Sequence, residues 1–218
     1  SYGNYAYLQA KASITGALSE KIAGRISFSG TQRDGLLYNV KTQQNMNDIN
    51  NLGVRGQLLY TPTDKIKITF IADVTDQKPN GYGWPVAGVV TTMRSAYRQF
   101  NTIIADLNYK LPYSSPFERK VDLDTPSKAD NGLGGVSLNA DIKIGNGILT
   151  STTAWRYWKW TPLNDRDYTG LPVFTISSGN SKHTQKSQEI RYSGKFSPSF
   201  SGVFGLFGLW QDLNSDPV

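Results

Sequence analysis

The chain has 218 residues, with 23 Lys plus Arg against 17 Asp plus Glu, a net charge of +6, and no cysteine. Without thiols there are no disulfides, thiol catalysis or thiolate metal sites, and basic residues spread along the chain rather than clustered argue against nucleic acid as a partner. No apolar run approaches the roughly 20 residues of a membrane helix, and no basic start leads into an apolar run as in a signal peptide, so the chain reads as mature protein or a piece of one.

The 12 Tyr, 9 Phe and 5 Trp beside 21 Gly form a β composition. Eight segments alternate with period two and predict strands. Residues 5–16 set Ala6, Leu8, Ala10, Ala12 and Ile14 against Tyr7, Gln9, Lys11, Ser13 and Thr15. Residues 22–33 set Ile22, Ile26 and Phe28 against Arg25, Ser27 and Arg33. Residues 51–61 set Leu52, Val54 and Leu58 against Arg55 and Gln57, and residues 66–76 set Ile66, Ile68, Phe70 and Val74 against Lys67 and Asp73.

Residues 134–144 set Val136, Leu138 and Ile142 against Asn139, Asp141 and Lys143. In residues 148–159 the charge of Arg156 decides the faces, because a basic residue facing lipid at mid-depth costs about 2–4 kcal/mol. Arg156 therefore turns away from lipid, and Trp155 and Tyr157 turn outward. Residues 185–196 set Ile190, Tyr192 and Phe196 against Glu189 and Arg191. Residues 202–211 are apolar on both parities, so their faces stay unassigned.

Tight turns are predicted at 18–21, 62–65, 145–147 and 197–201, from Pro-x-Asp and Asn-Gly turn chemistry. Between them run long links at 34–50, 77–132 and 161–184. Short turns at one end, long loops at the other and strands of roughly 11 residues match a transmembrane barrel, whose strands span about 9–11 residues. A soluble sandwich would have strands of about 5–6. The reading is an all-β fold: an antiparallel transmembrane β-barrel segment of about eight strands with long extracellular loops and short periplasmic turns.

Particular residues then point to a family. Leu52-Gly53-Val54-Arg55-Gly56-Gln57-Leu58-Leu59-Tyr60-Thr61-Pro62-Thr63-Asp64-Lys65-Ile66 resembles a strand–turn–strand unit of TonB-dependent outer-membrane receptors, as does the preceding Arg33-Asp34-Gly35-Leu36-Leu37-Tyr38-Asn39. Gln188-Glu189-Ile190-Arg191-Tyr192-Ser193-Gly194, followed by Val203-Phe204-Gly205-Leu206-Phe207 and Gln211-Asp212-Leu213, resembles a later hairpin of the same barrels. The resemblance implies a barrel of roughly 22 strands with a plugged lumen. It makes residues 1–218 a partial barrel domain, with loops 34–50, 77–132 and 161–184 outside the cell and the plug domain absent. It also implies the cell outer membrane, membrane lipid as surroundings, a small-molecule solute such as an iron chelate as ligand, and TonB as a partner acting through that plug.

Loop 77–132 is the predicted recognition element, with Tyr82, Trp84, Arg94, Tyr97 and Arg98 as candidate ligand contacts, since aromatic faces suit ring systems. Its aromatics have an equally simple reading as packing within the loop. Met93, Ala96, Tyr97, Phe100, Ile104 and Leu107 recur at helical spacing and predict a short helix that buries this stripe over the barrel mouth. In the Trp155–Trp160 run, Trp155 and Tyr157 fit an aromatic girdle, while Trp158 and Trp160 have the other parity and become candidate contacts on the lumen side. Asp122, Asp124 and Asp130 match no metal-loop spacing and read as a solvated acidic loop, and Asp165-Arg166-Asp167 reads as self-paired. His183, the only histidine, reads as exposed. No catalytic set, metal site or cofactor is predicted, so the chain is not expected to be an enzyme. Two other readings stay open: a complete small eight-stranded barrel serving as anchor or adhesin, and a soluble β-rich carbohydrate-binding module.

Overall fold

The computed structural model describes residues 1–174 and 177–217. The strands are β1 (Tyr2–Gly3), β2 (Tyr7–Ser19), β3 (Ile22–Arg33), β4 (Leu37–Asn39), β5 (Gln44–Met46), β6 (Ile49–Thr63), β7 (Ile66–Gln77) and, after the helix α1 (Phe100–Asp106), β8 (Lys120–Val121), β9 (Lys128–Ile144), β10 (Gly147–Asn164), β11 (Ser177–Ser197) and β12 (Phe200–Pro217). Nine of them form one sheet in the order β1-β2-β3-β6-β7-β9-β10-β11-β12, and β5-β4-β8 form a second, small sheet. Every pairing in the large sheet is antiparallel. The eight predicted strands are its eight long ones, and the two-residue β1 adds a ninth. Among the described residues β1 and β12 remain edges, and the sheet does not close on itself.

The ladder fixes the faces. Leu58 lies opposite Phe70 and Phe70 opposite Leu138, while Arg55 lies opposite Asp73 and Lys67 opposite Asp141. Apolar and charged residues therefore occupy opposite faces, as the alternation predicts. The register also settles β12. Phe207 pairs with Glu189 and Leu213 with His183, on the charged face, whereas Phe204 pairs with Tyr192 and Trp210 with Lys186, on the apolar one.

Several boundaries differ from the predicted ones. Tyr5 and Ala6 adopt positive φ, 60° and 50°, so the first long strand begins at Tyr7 and not at residue 5. Within the turn predicted at 145–147 the two turn residues are Gly145 and Asn146, with φ +58° at Gly145. Positive φ at the first turn residue is what a two-residue II′ hairpin asks of glycine. Near Pro62 the register shifts between Tyr60 and Thr63, a bulge where a residue without N–H is tolerated.

The last four strands run past their alternating stretches: β9 has 17 residues, β10 18, β11 21 and β12 18. Pairing continues through Thr161 with Asp130 and Leu163 with Lys128, because a backbone ladder needs no hydrophobic alternation to persist. The connection predicted at 161–184 contracts to 165–176, of which Thr175 and Ile176 lie outside the described residues.

The buried core lies in the links rather than in the sheet. Met46, Val121 and Leu123 are 0–1% exposed and pack with Leu37 and Tyr168. The strands β4, β5 and β8 and the chain around residue 168 thus form a cap at the end of the sheet away from the tight turns. The predicted helix exists but is short, since Gln99 is extended (φ −80°, ψ 144°) and separates the 3-10 turn Ala96–Arg98 from α1. Its stripe is not buried: Met93, Tyr97 and Leu107 are exposed.

Candidate functional site

Two surfaces carry the chemistry, the loop cap and the charged face of the sheet. In the cap, amide side chains stand in for strand neighbours. Asn39 donates from Nδ2 to the Leu123 carbonyl at 2.9 Å and accepts from the Leu123 N–H at 3.2 Å. Asn47 donates to the Gly83 carbonyl at 3.2 Å and accepts from its N–H at 2.8 Å. Gln99 makes the same reciprocal pair with Thr92, at 3.0 Å each way, and also donates to the Arg94 carbonyl at 2.6 Å. Each amide satisfies at least two backbone groups that no ladder reaches. Two of these clips fasten link 77–132 to link 34–50.

Acidic residues do similar work. Asp165 is 2% exposed and accepts from the N–H groups of Asp124, Asp167 and Tyr168. Burial, with the Asp167 carboxylate beside it, pushes the Asp165 carboxyl up to about 6. The 165–167 segment is therefore tied to backbone N–H groups instead of pairing with Arg166. Asp122 is buried and accepts from the Tyr109 hydroxyl at 2.8 Å, which itself accepts from the Gly170 N–H at 3.1 Å. Burial, and then that Asp122 carboxylate, raise the Tyr109 phenol well above its ordinary range. The predicted solvated run at Asp122–Asp130 is thus partly interior: Asp122 is enclosed, and Asp130 is paired with Lys128 at 3.4 Å. Glu118 caps the turn Pro116–Glu118, where the N–H of Ser114, then its hydroxyl, hold the carboxyl down to about 2.

The candidate contacts fall into three groups. Trp84 meets Tyr168 edge-on at 5.4 Å and Tyr82 at 6.5 Å, with Tyr82 and Trp84 both exposed above the cap core. Arg94, Tyr97 and Arg98 lie on the segment held by Gln99, with the Arg98 guanidinium 5.5 Å from the Tyr97 ring centre. Trp158 and Trp160 lie on the charged face, their rings 6.2 Å apart and 12° from parallel, and Trp158 donates its indole N–H to Asn131. Asn131 in turn donates to Gln77 at 2.7 Å. His183 is half-buried opposite Trp158 rather than exposed.

Trp155 and Tyr157 pair on the opposite, apolar face at 5.6 Å, the parity predicted from Arg156. Arg156 itself makes a two-toothed ion pair with Asp73, at 2.7 and 2.9 Å, across the strand between them. Gly135 is the residue between, opposite both. A methyl group there would overlap the Trp155 carbonyl and crowd the Arg156 side chain, so glycine opens the lane for the pair. Asn39, Asn47 and Gln99 escape sequence reasoning, because a loop amide reads there only as turn chemistry, and Asp165, read as paired with its neighbour, instead holds backbone N–H groups.

The fold is that of a segment of β-barrel wall, one antiparallel sheet with an apolar and a charged face. The chain is similar in structure to the ferric yersiniabactin uptake receptor FyuA from Yersinia pestis, with 14% identity and a TM-score of 0.68 over 99% of this chain and 30% of that one. It is also similar to a chain of the FpvAI–pyocin S2 complex, with 13% identity and a TM-score of 0.70 over 99% of this chain and 27% of that one. The chain thus spans less than a third of the length of either. No protein-family model and no curated protein matches it. Among the described residues no helix is long and apolar enough to cross a membrane, which says nothing of crossing by strands.

Proposed function

We propose that residues 1–218 form part of the barrel of a TonB-dependent active transporter in the outer membrane, a receptor and not an enzyme. The observation that carries this is the two-faced sheet. Leu58, Phe70 and Leu138 stay 41–46% exposed on one face with no protein layer over them, and the other face is lined with charge. In water the first face would need a core; against lipid it needs none. The likeness in fold to the ferric yersiniabactin uptake receptor supports the direction of the reading.

On this reading the connections between β3 and β6, between β7 and β9 and between β10 and β11 face the outside. The solute is a scarce small molecule, a siderophore, cobalamin or glycan, met first by Tyr82, Trp84, Arg94, Tyr97 and Arg98 and then by Trp158 and Trp160 along the wall. TonB acts through a plug domain supplied from outside these residues. Fluorophores at Leu58 and Phe70 are expected to be quenched by a lipid-borne quencher, and those at Arg55 and Asp73 by a water-soluble one. If Arg55 and Leu58 report the same surroundings, the reading fails. For the solute, Trp158→Ala with Trp160→Ala is expected to weaken binding of a ferric siderophore at least tenfold; unchanged binding removes these two residues from the path.

A further inference from the structure

We propose that the apolar face carries, toward its loop end, a site for the headgroup of a phosphate-bearing anionic lipid, built by Lys159, Lys182 and Lys186. Lys159 follows Trp155 and Tyr157 on the same face of β10, and Lys182 lies directly opposite it on β11. Lys186 lies opposite Trp155 on one side and Trp210 on the other. All three lysines are exposed, and none has an ion-pair partner among the described residues. The carboxylates of this face leave them unbalanced. Asp212, opposite Thr184 on the adjoining strand, pairs with neither Lys182 nor Lys186, and Asp130 is held by Lys128 at 3.4 Å.

A single lysine at the edge of an apolar band lifts its ammonium into water and needs no partner. Two lysines directly opposite in a ladder repel each other, and the third stands only about 14 Å further along β11. An anion between the ammonium groups removes that repulsion, and phosphate is a group that lysine binds as a point charge. The surface beneath makes the anion a lipid. Lys186 lines the same hollow of about 390 Å³ as the apolar side chains of Phe70, Val136, Leu138, Trp155 and Trp210. Positive charge, then aromatic rings, then an apolar hollow match an amphiphile with its headgroup toward the loops and its acyl chain along the wall. Both β10 and β11 have neighbours on either side, so further strands of a wall would not cover these lysines, and a lumen with its plug lies on the opposite face.

The inference rests on the reading that the apolar face meets lipid, but not on which solute the loops select. The test uses the whole chain in zwitterionic detergent micelles at low ionic strength. The micelles are doped with phosphatidylglycerol or phosphatidylcholine carrying the same brominated acyl chains, and quenching of tryptophan emission is read. The phosphatidylglycerol is expected to quench at a mole fraction at least about fivefold lower than the phosphatidylcholine. Lys159→Gln, Lys182→Gln and Lys186→Gln together should abolish that preference. Lys11→Gln, Lys67→Gln and Lys143→Gln together remove the same charge from the opposite face and should leave it intact. Equal losses in the two triple variants would mean attraction by net charge alone and would overturn the site. Inorganic phosphate at millimolar concentration should not abolish the preference; if it does, the site takes free anions and the lipid assignment is overturned. Equal quenching by both lipids overturns the site and leaves the lipid-facing wall standing, whereas no quenching by either overturns wall and site together.

Discussion

Phe70 and Leu138 pair across two strands of the sheet and remain 41% and 46% exposed, whereas Met46 and Leu123, in the links, are both 0% exposed. The two regions treat apolar side chains differently. The sheet sets them in register on one face and covers them with no layer of its own; on the proposed reading lipid covers them. The cap closes a small core of its own and satisfies the backbone around it with Asn39, Asn47 and Asp165. Substitutions should therefore act locally and differently in each region: through packing and buried polar groups in the cap, and through register and wall charge in the sheet.

The largest expected effect is Leu123→Asp. Losing a fully buried leucine and placing a carboxylate among Met46 and Val121 should cost the cap at least ~4 kcal/mol. Amide exchange across 37–46 and 120–123 should become fast while protection in β9 and β10 stays. A simultaneous loss in the strands would show that cap and sheet fold as one unit. Asn39→Leu comes next, since it leaves the Leu123 N–H and carbonyl unpaired, and about 2–3 kcal/mol is expected. Limited proteolysis within 118–127 reads it, and a cleavage rate equal to wild type would show that the clip is dispensable.

Asp165 sharpens the contrast through pH. Its carboxyl is raised in the folded cap to about 6, above the ordinary 3.8. The folded state therefore holds a proton that the unfolded chain has already released. The stability this gives is fully present below about pH 4, is lost as pH rises toward 6, and amounts to on the order of 3 kcal/mol. Exchange in the cap should be slower at pH 4 than at pH 7 after correction for the intrinsic rate, with the difference flattened in Asp165→Asn and absent from the sheet. The smallest effect belongs to the wall pair. Asp73→Asn and Arg156→Gln should show a coupling of less than about 1 kcal/mol in a double-mutant cycle, because the Arg156 side chain is 39% exposed to solvent. A larger value would mean that the wall is drier than its exposure implies.

The sheet was legible in the sequence because period-two alternation is a local property. Leu52 to Tyr60 carries its own face assignment, and Arg156 betrays the parity of its neighbours by the cost of a charge in lipid. The turns at Asp64-Lys65 and Gly145-Asn146 follow from backbone preferences of single residues. The ends of β9 to β12 were not legible, because a ladder continues wherever its partner continues, whatever the side chains between Lys128 and Gly132.

The cap was decided by tertiary structure alone. Met46 and Leu123 lie 77 positions apart in the sequence, and nothing in the pattern around either predicts that they share a core. Asn39 looks like a turn former until the backbone of Leu123 arrives beside it. The same holds for Asp73: its charge and face are local facts, but the choice of Arg156 over Arg55 depends on Gly135 opening the lane between two strands that are distant in the chain. Periodicity encodes which way a side chain points, while the identity of the partner it meets depends on which strands the fold sets side by side.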